Sequence, residues 1–209
     1  MRGLFDPDST FSQVLSRLAD LAILSILWTL CCLGVVTVGA ASAALCRCAM
    51  NMARGKGGWN ARAFFRYFRE NFRTATPLWL VLLAMAGVLM ADLWITAGAE
   101  GPFSAVIRIV AAAGLVLWTL TAVWAFPMSA HFENTLRATL KTAFLLSVSW
   151  LPRSLGMGAL WLLPLILAAV APGVLYRMAV LWPVLLWGGT AYVCALLMKK
   201  PLASFLEPQ

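Results

Sequence analysis

Leu21 to Val38, LAILSILWTLCCLGVVTV, carries no charged residue, and four more charge-free runs follow: Thr74 to Ala91, Ile109 to Phe132, Ser154 to Tyr176 and Met178 to Met198. In hydrocarbon an unpaired backbone amide or charge is costly, so the chain must satisfy every N–H and C=O internally. Runs of this length match helices of about 20 residues, enough to cross a bilayer. The expected class is an integral membrane protein, all-α and multi-pass.

Composition agrees. The chain is 62% hydrophobic and 11% charged, against roughly 45–50% and 25% in a soluble domain, and its mean hydropathy is +0.86. Its 209 residues suit one compact helical bundle, so residues 1–209 are read as a single membrane domain. The formal charge of +8 does not imply nucleic acid, because the basic residues sit at the ends of apolar runs, where anionic inner-leaflet lipids are the expected contact. No small-residue cleavage pattern follows the first apolar run before Arg47, so that run is expected to stay as a helix. Cys31, Cys32, Cys46, Cys48 and Cys194 include no CxxC pair and read as small packing hydrophobes. His131 is the one histidine, which excludes a His-rich metal site. No cofactor is expected.

Gly34 and Gly39 mark a turn into AASAALCRCAMNM. This segment is predicted to be a short second helix packed closely on the first, since Ala and Ser let helix backbones approach. Seven of the sixteen Lys and Arg lie between Arg47 and Arg73, placing that loop on the cytoplasmic side. Arg137, Lys141 and Arg153, the pair Lys199 and Lys200, and Arg2 with Arg17 fit the same side, leaving Arg108 and Arg177 outside. Six crossings put both termini on the cytoplasmic side. Should residues 39–52 not cross, five remain and the N-terminus moves out. Gly101-Pro102 and Pro172-Gly173 mark short external turns. Trp79 and Trp94, about 22 Å apart along a helix, suit the two interfaces of one span.

Two segments stand out as amphipathic helices of the cytoplasmic face. In residues 61–73, ARAFFRYFRENFR, helical spacing gathers Ala61, Phe64, Phe65, Phe68 and Phe72 on one side and Arg62, Arg66, Arg69 and Arg73 on the other. The phenylalanines are expected in the head-group region, with the helix running into the span near Pro77. In residues 131–144, Phe132, Leu136, Leu140 and Ala143 share a face, with Glu133, Arg137 and Lys141 beside it at i, i+4 spacing. Glu70-Asn71 and Glu133-Asn134, each followed by Arg, hint at a duplicated unit, which chance explains equally well. The candidate partner or lipid contacts are therefore Arg62, Phe64, Arg66, Arg69, Arg73, Arg137 and Lys141.

Acids within spans are rare and often mark an ion path, so Asp92 is the candidate polar membrane site, with Arg108 as its expected partner. Asp20 reads as a boundary residue or a partner of Arg17 or Arg47. Pro77, Pro127, Pro164 and Pro183 border or kink helices without an accompanying polar cluster. The eight acids and one His are scattered, and Ser129, His131 and Glu133 are the nearest approach to a nucleophile with its base. No enzyme is expected.

Several stretches resemble one family. They are Phe11, Leu18-Ala19-Asp20, Trp28-Thr29-Leu30-Cys31-Cys32, Val36-Thr37-Val38-Gly39-Ala40-Ala41, Ala44-Leu45 and Phe64-Phe65-Arg66-Tyr67-Phe68-Arg69-Glu70-Asn71-Phe72. Together with Phe132-Glu133-Asn134 and Lys141-Thr142-Ala143-Phe144 they resemble the YesL-like bacterial membrane proteins, a family of unknown function. Where relatives often carry Pro before the Thr-x-Gly turn, this chain has Gly34-Val35-Val36. The resemblance implies a plasma-membrane protein in a carbohydrate-uptake setting and brings no catalytic residues. The expected role is an accessory component that binds sugar transporter or sensor subunits; the alternative is a small transporter or channel acting as a homo-oligomer.

Overall fold

A computed structural model of the chain describes residues 10–55, 61–99, 101–131, 135–170, 173 and 187–206. Among the described residues there are helices and turns and no strands. The helices in chain order are α1 (Thr10–Cys31), α2 (Val38–Ala53), α3 (Ala61–Thr96), α4 (Pro102–His131), α5 (Leu136–Ser149), α6 (Leu151–Val170) and α7 (Trp187–Leu206).

The first helix is displaced from the charge-free run that predicts it. It begins at Thr10 and stops at Cys31, whereas the run extends to Val38. Gly34, which has no Cβ, and Thr37 close the chain into a turn: the Thr37 hydroxyl donates to the Cys31 carbonyl, and its backbone N–H reaches the Gly34 carbonyl at 3.0 Å. Local hydrogen bonding by Thr competes with helix continuation, a term that hydropathy does not register.

Helix α2 lies at the centre. Ala40, Ala41, Ala43, Ala44 and Ala49 are completely buried, and the helix packs most extensively on α3 and then on α7 and α4. The expected close partner was α1, whose contact is the slighter one. Gly39 accounts for the intimacy with α3: a Cβ there would sit 2.5 Å from the Ala75 carbonyl oxygen and 2.6 Å from Trp79 Cβ. Gly188 plays the same part where α7 crosses α1, since a Cβ would press on the Leu21 carbonyl and lie 2.6 Å from Ser25 Oγ. The Ser25 hydroxyl accepts the Gly188 N–H at 2.7 Å and donates to the Leu21 carbonyl at 2.8 Å.

At 16 residues, α2 is shorter than the roughly 20 that a crossing requires. Helices α3 and α4 are long and apolar enough to cross a membrane. Their most apolar stretches are only 11% and 22% buried, so they are not core helices wrapped by the rest of the chain. Helix α3 runs unbroken for 36 residues, about 54 Å, and joins the amphipathic segment to the apolar one with Pro77 inside it. The expected crossings at 154–176 and 178–198 correspond to α6 and α7 in part; 171–172 and 174–186 lie outside the described residues. Gly101 has φ 142, a backbone conformation suited to glycine, and Pro102 opens α4, where its missing N–H costs nothing.

Tryptophans tie the bundle together. Trp124, fully buried, donates to Ser154 Oγ at 2.8 Å and so joins α4 to α6. Trp28 donates to Ser42 Oγ at 3.2 Å, Trp79 to the Val35 carbonyl at 2.8 Å and Trp118 to the Leu82 carbonyl at 2.8 Å. Burying an indole requires such a partner for its N–H.

Candidate functional site

The N-terminal turns of α3 and the C-terminal turns of α2 run side by side and bring together Arg47, Asn51, Arg66, Tyr67 and Glu70. Glu70 accepts from Arg47 Nη1 at 3.2 Å, and its other oxygen is 3.8 Å from Arg66 Nε. Both guanidinium groups lie over the ring of Tyr67, that of Arg47 4.6 Å and that of Arg66 5.0 Å from its centroid. Its hydroxyl oxygen receives Asn51 Nδ2 at 3.1 Å and Arg66 Nη2 at 3.2 Å. Each exposed ion pair of this kind contributes about 0–1 kcal/mol. What the network adds is rigidity, because long arginines held on an aromatic face lose less freedom when a second molecule engages them.

One carboxylate serves two arginines here, and Arg62, Arg69 and Arg73, all exposed, make no ion pair among the described residues. Among the described residues, the facing turns of α2 and α3 with the α2 C-cap Arg54 therefore carry six guanidinium groups against the one carboxylate of Glu70. This end is suited to binding anions.

The predicted face of this helix is rotated. Phe64 is fully buried, beside Ala63, Asn71 and Ala75, while Phe65 is 51% and Phe72 38% exposed. Phe64 is thus a core residue packed inside the bundle, not a partner or lipid contact. The buried line Phe64, Asn71, Ala75, Leu78, Leu82 follows the contact with α2, and Asn71 is tolerated because its Nδ2 donates to the Tyr67 carbonyl at 2.8 Å. Phenylalanine spacing alone cannot distinguish a helix face turned toward lipid from one turned toward protein.

In α5, Arg137 and Lys141 are exposed as expected; Leu136 and Leu140 are half-buried against the core and Ala143 is fully buried. Phe132, Glu133 and Asn134 lie outside the described residues, so the Glu133 to Arg137 pair and the three-residue grouping with Ser129 do as well. Asp92 and Arg108 do not form the expected ion pair. Arg108 instead reaches the Ala99 carbonyl at 3.4 Å, and the Asp92 carbonyl accepts from the Thr96 hydroxyl at 2.6 Å. Asp20 pairs with neither Arg17 nor Arg47. Burial raises its carboxyl above the usual carboxylate range, and the Ser16 hydroxyl, donating at 3.4 Å, offsets part of this. Among the described residues no three His, Cys, Asp or Glu side chains gather as a metal site.

Arg47, Asn51, Tyr67 and Glu70 are not among the candidate contacts that the sequence offers. Arg47 and Glu70 are 23 positions apart, and no local pattern links them; the Glu70-Asn71 repeat drew attention to the right residue for another reason.

The fold and its basic end define an all-helical protein with two helices capable of crossing a membrane. Residues 21–93 match the family described as "Protein of unknown function, DUF624", and this segment spans the second half of α1, all of α2 and most of α3. The chain is 29% identical over 140 residues to the "Uncharacterized protein YesL" of Bacillus subtilis (strain 168), an alignment covering 66% of each chain and so just under two thirds of that relative's length. These matches support a YesL-like family. No solved structure matches it.

Proposed function

We propose that this is a multi-pass bacterial plasma-membrane protein that serves as an accessory subunit, presenting the basic end of α2 and α3 to an acidic partner at the cytoplasmic surface. The observation that carries the reading is the rigid Arg47, Tyr67, Arg66 and Glu70 network with Arg62 and Arg69 free beside it. The exposed apolar lengths of α3 and α4 support insertion in a bilayer, since a water-soluble chain rarely exposes so continuous an apolar surface. The carbohydrate-uptake setting implied by the YesL-like resemblance makes transporter or sensor subunits the partner class. Purification from native membranes in mild detergent should recover such a subunit in stoichiometric amount. Replacing Arg62, Arg66 and Arg69 together by Glu should abolish its recovery while leaving the melting temperature unchanged. Retained recovery would overturn the proposal.

A second reading, a homo-oligomeric transporter or channel, draws on Asp92, half-buried on a long apolar helix and without an ion pair among the described residues. Liposomes containing the protein should then pass a solute, and Asp92→Asn should reduce that flux. Sealed liposomes over a broad panel of sugars and ions would exclude it.

A further inference from the structure

Helices α3, α4 and α5 enclose an open cavity of about 680 Å³ lined by Leu82, Met85, Leu89, Leu117, Trp118 and Phe144. That lies in the size range of small-molecule sites, roughly 300–1,000 Å³. Gly114 widens its floor, because a Cβ there would come within 3.0 Å of a Leu89 methyl. Trp118 is held at the wall by its hydrogen bond to the Leu82 carbonyl. The lining offers almost no polar surface, so the tenant must be hydrocarbon.

The same three helices form a second, smaller cavity of about 150 Å³ next along their length, and this one is the more polar of the two. Arg73, Thr74 and Pro77 line it from α3, Ser129 from α4 and Thr139 from α5. The two cavities follow one another in helical register. Leu78 in the polar one is a turn from Leu82 in the apolar one, and Leu136 is likewise a turn from Leu140, which puts each pair on one face. Arg73 is exposed and makes no ion pair among the described residues. Pro77 has no N–H to offer the Arg73 carbonyl, so that oxygen can accept from an alcohol. The hydroxyls of Thr74, Ser129 and Thr139 donate to backbone carbonyls of their own helices, so the head contact falls to Arg73 and the carbonyl freed by Pro77; together with the apolar trough these form a two-part receptor, charge at the head and hydrocarbon below.

We propose that the α3/α4/α5 trough binds one anionic phospholipid, its phosphate on Arg73 and an acyl chain laid between Leu82 and Phe144. The inference rests on the membrane placement proposed above and is independent of the accessory role, which uses Arg62, Arg66 and Arg69. Guanidinium to phosphate hydrogen bonds are charge-assisted and directional, which separates this site from the diffuse attraction of a basic surface for an anionic leaflet.

Carbonate extraction of membranes first tests the placement on its own: the protein must stay in the pellet. Native mass spectrometry of the delipidated protein in neutral detergent then tests the site, using dioleoyl phosphatidylglycerol, dioleoyl phosphatidylcholine and glycerol phosphate as probes. The site predicts one retained phosphatidylglycerol, weaker phosphatidylcholine and no retained glycerol phosphate. Arg73→Gln should lower phosphatidylglycerol occupancy about tenfold and lower phosphatidylcholine less, narrowing the difference between the two lipids, while Gly114→Leu should lower both. Arg69→Gln, one turn away and outside the trough, should change neither. Equal retention of the two phospholipids, an Arg73→Gln protein that binds as the parent does, or the same loss from Arg69→Gln would overturn the proposal. So would glycerol phosphate retained as well as the lipid, which would make the site one for a free phosphate. Melting temperatures of the variants identify any that lose binding through misfolding, and in that case Thr139→Glu, which places a carboxylate in the head cavity, gives the same reading by repulsion.

Discussion

The contact of α2 with α3 and the seam between α3 and α4 are both made of apolar residues, yet they behave as opposites. At the first, Gly39 and a succession of fully buried alanines let two backbones come within a side chain's thickness, and nothing is left to fill. At the second, Met85 and Val88 are half or more exposed and line a trough that remains open between the helices. The difference lies in side-chain size. Small residues make contacts whose energy comes from packing and close approach, whereas large aliphatic ones leave a surface that needs a hydrocarbon surrounding. One long helix, α3, takes part in both: Leu78 and Leu82 face inward, and Leu80, Val81 and Leu83 face outward.

Substitutions should divide along that line. The largest effect is expected at Leu82, almost fully buried, where Leu82→Ala should cost about 2–5 kcal/mol; Val88→Ala, on the exposed side of the same helix, should stay within about 0.5 kcal/mol. Denaturation of the two variants in one detergent checks both, and equal losses would erase the distinction. Gly39→Val and Gly188→Val should each cost about 1–3 kcal/mol or more by overpacking. Gly87→Ala, where a Cβ meets nothing within 4 Å, should be neutral or gain up to about 1 kcal/mol from helix propensity. Next comes Ser154→Ala, which leaves the Trp124 N–H without its partner in a dry interior and should cost about 1–3 kcal/mol; Trp124 fluorescence should change with it. The smallest effect is assigned to Glu70→Gln, about 0–1 kcal/mol, detectable more readily as faster motion of Arg47 and Arg66 than as lost stability.

The sequence made these two regions legible to different degrees. Apolar runs located α3 and α4, because length and the absence of charge are properties of the string itself, but of their ends only that of α4 at His131 closely matches a run; α3 opens at Ala61 and closes at Thr96, outside Thr74 to Ala91, and α4 opens at Pro102, ahead of Ile109. The Gly101-Pro102 turn was legible for a similar reason. The close approach of small residues around Gly39 was also foreseen, but its partner was misassigned to α1: Ala and Ser say that something comes near and not what. The end of α1 at Cys31 depended on Thr37 folding back over Gly34, a local hydrogen bond invisible to hydropathy. Phe64 and Phe65 are neighbours with equal hydrophobicity, and only the position of α2 decides that one is core and the other surface. The Arg47 to Glu70 pair joins two helices and needed the fold to appear at all, and the charge complementarity of Asp92 and Arg108 suggested a pair whose geometry is not realised.

We propose that α3 and α4, both long and apolar enough to cross a membrane, do so as a hairpin, with the basic end of α3 on one side and the turn before Pro102 on the other. Single cysteines placed at Ala99 and at Arg69, each probed in intact cells with a membrane-impermeant thiol reagent, test it most directly. The parent chain is the background control, since its five cysteines are buried or half-buried. The account predicts labelling of Ala99→Cys from outside, and labelling of Arg69→Cys only after the cells are opened. Labelling of both from the same side, or recovery of the protein in the soluble fraction, would contradict it.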